Sequence, residues 1–302
     1  MADYRFGAIE AGGTKFFCAV GSTRQDLSAA ERIPTTSPEE TMAKVMAYFR
    51  EEVLRHGPLD AIGIASFGPA GVRPGAADWG RILKTPKPGW SQTSLVQPLM
   101  EAFGVPLGFD TDVNGAALAE YRWGAARKCN VATYVTVGTG IGGGTTVNGR
   151  AVHGLRHPEV GHFLPRRHPD DVAFEGTCPF HRDCLEGLAS GPAIAERWGA
   201  SLSHLPQNHI AHEMIAYYLG QLVVALQAIL SPRRIIFGGG VSNTPGLLER
   251  VGQTAKNIGN GYFADAADTA ALVVAPGLGQ QSGLLGALHL AEMAWQRAST
   301  NT

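Results

Sequence analysis

The 302 residues are 44% hydrophobic and 17% charged, with 25 Lys and Arg set against 26 Asp and Glu. That is enough apolar material for one or two packed domains, and too even a charge balance to attract nucleic acid or an anionic bilayer. Gly accounts for 39 residues, about twice its usual share, so tight turns and close backbone approaches must be numerous.

In chain order, Met1-Ala2-Asp3-Tyr4-Arg5 carries no apolar leader and no small-residue cleavage site, which points to the cytoplasm. Strands are predicted over residues 6–9 and 16–20, then a helix over 38–55 with Met42, Val45, Met46, Phe49 and Val53 on one face. Strands over 61–66 and 107–109 lead to a helix over 113–123. Beyond these, strands are expected over 133–137, 145–147, 235–237 and 271–274, and helices over 209–230 and 283–295. Alternating strands and helices make the class α/β. Residues 6–20 and 134–147 both read as strand, Gly-rich turn, strand, the mark of an internal duplication with a boundary between residues 111 and 130. The apolar run 217–230, broken by Gly220, Gln221 and Gln227, is shorter than the ~20 residues a membrane span requires.

Glu10-Ala11-Gly12-Gly13-Thr14-Lys15 joins the first two strands. Paired glycines let backbone N–H groups approach a phosphate, and Thr14 and Lys15 add a hydroxyl and a positive charge. A hairpin turn with a polar tip explains this motif equally well when it is taken alone. Gly138-Thr139-Gly140-Ile141-Gly142-Gly143-Gly144 contains a formal G-x-G-x-x-G, but the Thr145-Thr146-Val147 that follows reads as a strand where a dinucleotide fold needs a helix. Phosphate contact is the better account of so many glycines. A Gly-Lys-Ser/Thr signature is missing as well, which excludes a P-loop. Ile235-Ile236-Phe237 runs into Gly238-Gly239-Gly240-Val241-Ser242 ahead of a helix expected from Pro245, bare backbone against which a base or phosphate can lie.

Asp110-Thr111-Asp112-Val113-Asn114 ends a strand and starts a helix. Open α/β sheets bind ligands at the carboxyl ends of their strands, so Asp112 is placed as a general base, with a helix N-cap as the competing role. Cys178, His181 and Cys184 follow one another at two-residue gaps, and an upstream His in His157-Pro158-Glu159-Val160-Gly161-His162 would complete a tetrahedral zinc site. Four ligands make such an ion structural, and the competing reading is a surface loop with accidental cysteines. Four Cys are too few for a disulfide framework, and Cys18 and Cys129 read as ordinary buried thiols.

Taken together, these residues resemble the ROK family of sugar kinases and repressors, and within it the fructokinase branch, over nearly the whole chain. Glu10 to Lys15 is similar to the first phosphate segment, with Glu where most of the family has Asp. Asp112-Val113-Asn114 is similar to the segment carrying the base, and residues 138–144 and 238–242 to the second phosphate loop and the adenosine segment. Glu159-Val160-Gly161-His162 matches the family's Glu-x-Gly-His element, and Cys178-x-x-His181-x-x-Cys184-x-Glu186 stands in for its commoner Cys-rich pattern. Thr85-Pro86-Lys87-Pro88-Gly89-Trp90 is similar to the fructokinase branch, whereas Gln280-Gln281 departs from the expected acidic residue followed by Gln.

The resemblance implies a two-domain actin-like ATPase (ribonuclease H-like) fold of α/β class with the active site in the interdomain cleft. Residues 1–112 plus a C-terminal helix of about 283–302 would form the smaller domain, and residues 113–282 the larger one with the zinc loop. It further implies that ATP with Mg2+ lies against Gly12, Gly13, Thr14, Lys15, Gly138, Thr139, Gly140, Pro192, Gly238, Gly239, Gly240, Val241 and Ser242. Asp112 would be the catalytic base; Gly68, Asn114, Glu159, His162 and Glu186 would hold the hexose; His162, Cys178, His181 and Cys184 would bind structural Zn2+. The expected substrates are ATP and a hexose, D-fructose at its 6-hydroxyl with D-mannose slower, and the expected assembly is a homodimer. The alternatives are a glucokinase or other hexose or amino-sugar kinase and a non-catalytic sugar sensor, which would more readily have lost the base or a Gly loop. A repressor needs a DNA-binding module ahead of Glu10, where nine residues stand.

Overall fold

The computed structural model describes residues 4–263 and 272–300. In chain order they form β1 (Phe6–Ala11), β2 (Lys15–Gly21), β3 (Glu31–Pro34), α1 (Pro38–His56), β4 (Ala61–Ser66), α2 (Val96–Phe103), β5 (Leu107–Thr111), α3 (Asp112–Trp123), β6 (Val131–Val137) and β7 (Ile141–Val147). There follow β8 (Arg150–Ala151), α4 (Leu185–Ala189), α5 (Gly191–Trp198), α6 (Ile210–Leu230), β9 (Arg234–Gly238), α7 (Leu247–Gly259), β10 (Val273–Val274) and α8 (Ser282–Thr300). The predicted strand over 271–274 thus begins outside the described residues.

The chain divides into two compact units. The first comprises Met1–Ala119, His153–His157 and Gln281–Thr302. Its sheet runs β3-β2-β1-β4-β5, with β1 antiparallel to β2 and parallel to β4, and β4 parallel to β5. The interior strand β4 is buried at every position, as parallel strands covered on both faces must be. Ile9, Phe16, Phe49, Ile62, Ile64 and Leu99 fill the core. Helix α8 lies so close on the sheet that a Cβ on Gly63 or Gly108 would run into the carbonyl oxygens of Ala287 and Leu290. Helix α1 starts where Ser37 accepts the N–H of Glu40, a side-chain N-cap followed by Pro38.

The second unit comprises Glu120–Val152 and Pro158–Gln280. Its sheet, read as β8-β7-β6-β9-β10, repeats the first in order and direction: a three-strand antiparallel half, then parallel strands added beside the hairpin's first strand. The weak sequence repeat thus corresponds to a repeated sheet topology. One reading needs correction. Helix α6 is continuous over 21 residues, and by length and composition it is long and apolar enough to cross a membrane. It is instead the core helix of this unit, with Ile215, Tyr218, Leu219, Leu222 and Val223 buried, because Gly220 and the two Gln residues leave the helical stripe unbroken.

Candidate active site

Strand register builds the candidate site of the first unit. Ala11 pairs with Ser66 and Ser66 with Thr111, so the carboxyl ends of the parallel strands β1, β4 and β5 come level at one sheet edge. The turn after β1 holds Gly12, Gly13 and Thr14 there, the turn after β4 holds Gly68, and the junction from β5 to α3 holds Asp112. Gly12 donates its N–H to the Lys15 carbonyl at 3.0 Å, and a Cβ at Gly12 would stand 2.7 Å from that oxygen, so the turn tolerates only glycine. A Cβ at Gly13 would meet nothing. Thr35 holds the turn from behind, its hydroxyl donating to the Gly12 carbonyl at 2.8 Å.

Glu10 is the electrostatic centre of this edge. Its carboxyl is buried against the start of α8, accepting the N–H of Leu284, and a Cβ on Gly283 would stand 2.5 Å from it. Burial first, and the nearby Asp112 carboxylate second, push its pKa up to about 7, against the pull of Lys15 and the Leu284 N–H. Asp112 is half-buried and opens α3, its Oδ1 accepting the Val113 N–H at 2.9 Å. Two residues earlier, buried Asp110 accepts from the Thr111 N–H at 2.8 Å and from the Asn114 side-chain amide at 2.7 Å.

In the second unit the equivalent edge is the carboxyl end of β6 and β9, where Thr136 pairs with Gly238. The turn Gly138-Thr139-Gly140 is closed by the Gly138 N–H donating to the Gly140 carbonyl at 2.9 Å. Helix α5 starts against it, with Ser190 as N-cap, Pro192 in the first turn and the Gly191 N–H donating to the Gly138 carbonyl at 2.7 Å. Gly239 has φ +88°, and a Cβ there would collide with Val137, so the Gly238–Gly240 turn crosses flush over the end of β6. Val241 anchors the turn by donating its N–H to the Val137 carbonyl at 3.0 Å. Glu186, in the first turn of α4, accepts the Ile141 N–H at 2.8 Å. Glu159 has its pKa raised, mainly by burial and further by Glu186, while His162 pulls it back.

His162, Cys178, His181 and Cys184 converge in this unit, with ligand atoms all within 4.8 Å of one another. The sulfur-to-nitrogen spacings are 3.8 Å (Cys178 to His162), 3.7 Å (Cys178 to His181) and 3.5 Å (Cys184 to His162). Tetrahedral Zn–S and Zn–N bonds of ordinary length put such edges at about 3.6 Å, so the donor set fits the ion in type and in spacing. Of the two upstream histidines, His162 joins the cluster; His157 instead accepts the Ala70 N–H at 3.1 Å in the first unit.

The structure also revises the second glycine run. Only residues 138–140 form a turn; Gly142, Gly143 and Gly144 belong to β7. Gly143 is small because Val160 packs where its Cβ would be, in the 3-10 turn that carries His162. Three residues of the first unit were missed as site neighbours: Asp110, His153 and His157. His153 and His157 come from the chain between the two glycine runs of the second half, and spacing alone gives no sign that this piece joins the first unit.

Two α/β units of matching strand order, each with glycine turns at the carboxyl ends of its parallel strands, define a protein of the actin-like ATPase fold. The chain belongs to the ROK family, whose model matches residues 6–294. It is 49% identical over 95% of its length to a fructokinase from Zymomonas mobilis, covering 96% of that protein. It is 40% identical to a fructokinase from Pediococcus pentosaceus, covering 97% of this chain and 99% of the other. Among solved structures, a ROK hexokinase from Thermus thermophilus matches with a TM-score of 0.78 at 27% identity, over 97% of this chain and 99% of that one.

Proposed function

We infer that the chain is an ATP-dependent hexose kinase, a fructokinase that transfers the γ-phosphoryl group of ATP to the 6-hydroxyl of D-fructose. The observation that carries this reading is 49% identity to a fructokinase across nearly the full length of both chains. In this reading Asp112 accepts the proton of the attacking hydroxyl, and the remaining groups position the reactants and balance charge. Gly68 and Asn114 in the first unit and Glu159, His162 and Glu186 in the second hold sugar hydroxyls. Gly12, Gly13, Thr14 and Lys15, with Gly138, Thr139, Gly140 and Pro192, serve the phosphates; Gly238, Gly239, Gly240, Val241 and Ser242 serve the adenosine. Mg2+, held chiefly by the ATP oxygens, offsets phosphate charge. Zn2+ on His162, Cys178, His181 and Cys184 ties the loop carrying Glu186 to the turn carrying Glu159. The enzyme works in the cytoplasm as a homodimer; the domain bounds expected from the resemblance, 1–112 with the last helix and 113–282, differ from the two units at residues 113–119 and 153–157, which fall in the first.

A panel of hexoses assayed for ADP release tests the substrate. D-fructose should give the highest kcat/KM, with D-mannose slower. A higher value for glucose or an N-acetylated hexosamine would move the chain out of the fructokinase branch while leaving it a kinase.

A further inference from the structure

The segment His153–His157 lies between β8 and the 3-10 turn of the second unit in sequence, yet it belongs to the first unit. Two contacts hold it there. At one end the Nε2 of His153 lies 2.9 Å from Oδ2 and 3.1 Å from Oδ1 of Asp110. A carboxylate accepts at both oxygens, so this nitrogen carries the proton and donates. At the other end the Nε2 of His157 accepts the Ala70 N–H at 3.1 Å, and its ring carbon Cε1 would lie 3.5 Å from a Cβ on Gly68. The segment therefore reaches from the end of β5 to the turn after β4.

Asp110 is the pivot. Its carboxylate takes the Thr111 N–H just before Asp112 and the Asn114 amide just after it, so one buried group brackets the residue assigned as the base. Asn114 is itself fully buried, and its Oδ1 has no partner among the described residues. Its orientation thus rests on the bond its Nδ2 donates to Asp110, the carboxylate to which the neighbouring His153 Nε2 also donates. His153 is the one side chain from outside the β5–α3 junction that donates to Asp110 among the described residues. Without it, a 4% exposed carboxylate loses the ring N–H that donates to it from outside the β5–α3 junction and must recruit water or turn, taking Asn114 and the first turn of α3 with it.

We propose that His153–His157 is a brace for the sugar side of the active site, and that His153 is a positioning residue: by pinning Asp110 it sets where Asn114 and Asp112 meet the hexose. This rests on the kinase reading. The H153A variant should stay folded, because the His153 side chain is 35% exposed. It should lose ~10- to 100-fold in kcat/KM for fructose, the cost of a misplacement of about 1 Å, while the KM for ATP stays within about twofold of wild type, an expectation set by the confinement of the lost contacts to the β5–α3 junction. H153Q, whose amide can donate to Asp110 as Nε2 does, should recover most of the loss. Steady-state kinetics of the two variants over a fructose and an ATP series, with circular dichroism to verify folding, decides the matter. An active wild type with an unimpaired H153A, or losses equal for sugar and ATP that H153Q does not relieve, would overturn the brace alone. A wild type that phosphorylates no hexose would overturn the kinase reading, and the brace's role with it.

Discussion

At the scale of single residues, the first-unit edge sets two carboxyl groups of different character close together. Asp112 is half-buried at the head of a helix, and its substitution by Asn keeps the size while removing the proton acceptor. Turnover should fall by ~10²- to 10⁴-fold, with ATP binding and the circular dichroism spectrum unchanged; a loss of only a few fold would remove Asp112 from the mechanism. Glu10 behaves differently. Its pKa rises from the ordinary 4.5 to about 7, chiefly through burial. Between those two pH values the folded chain keeps a proton that the unfolded chain has released, so the contribution is complete below pH ~4.5 and is lost as pH climbs through ~7, by on the order of 3 kcal/mol. The melting temperature of the wild type should therefore drop more between pH 5 and 8 than that of Glu10→Gln, which cannot titrate. Parallel curves for the two proteins would refute the assignment.

At the scale of elements, glycines divide into those the chain itself demands and those it does not. Gly63 faces the backbone of α8 directly, and adding a methyl group there must push the helix off the sheet. Gly63→Ala should cost roughly 3 kcal/mol or more, read as a lower urea midpoint. Gly13 has open space around its missing Cβ, and so does Gly240. Alanine at Gly13 should leave the urea midpoint within the ±0.5 kcal/mol typical of exposed sites yet raise the KM for ATP severalfold, if that open space holds phosphate as the proposed function has it. If Gly13→Ala binds ATP normally, the turn after β1 is only a hairpin tip. Both glycines look alike in the sequence; the partner that separates them, α8, lies more than two hundred residues downstream of Gly63.

At the scale of the whole molecule, the chain divides into two units, and the His/Cys cluster belongs to the second. The described cluster takes its four ligands from a 3-10 turn and a loop, with Cys184 as the N-cap of α4. Protein purified without added metal should carry one zinc per chain by elemental analysis. Chelation should loosen residues 173–186 and weaken hexose binding through Glu186, since ligands on flexible loops are ordered by the ion itself. Less than about half an equivalent of zinc in a fully active preparation would count against the site.

The sequence by itself settled the class, because alternation of β-branched runs with 3.6-residue periodicity is a local property. It located the glycine turns, Asp112 and the Cys178-x-x-His181-x-x-Cys184 loop for the same reason: each motif is contiguous, although spacing alone left a hairpin tip and a helix cap as competing roles. Short elements with little periodicity escaped it, notably β3 and the eight-residue α2. Spacing alone left either His157 or His162 as the fourth metal ligand and the family resemblance pointed to His162; the tertiary structure brings His162 to the cluster and sends His157 to the first unit. It alone placed His153 on Asp110 and α8 on Gly63, and it alone pushed Glu10 toward neutrality. Those outcomes depend on burial and on contacts between distant parts of the chain, and these exist only once the sheets have formed.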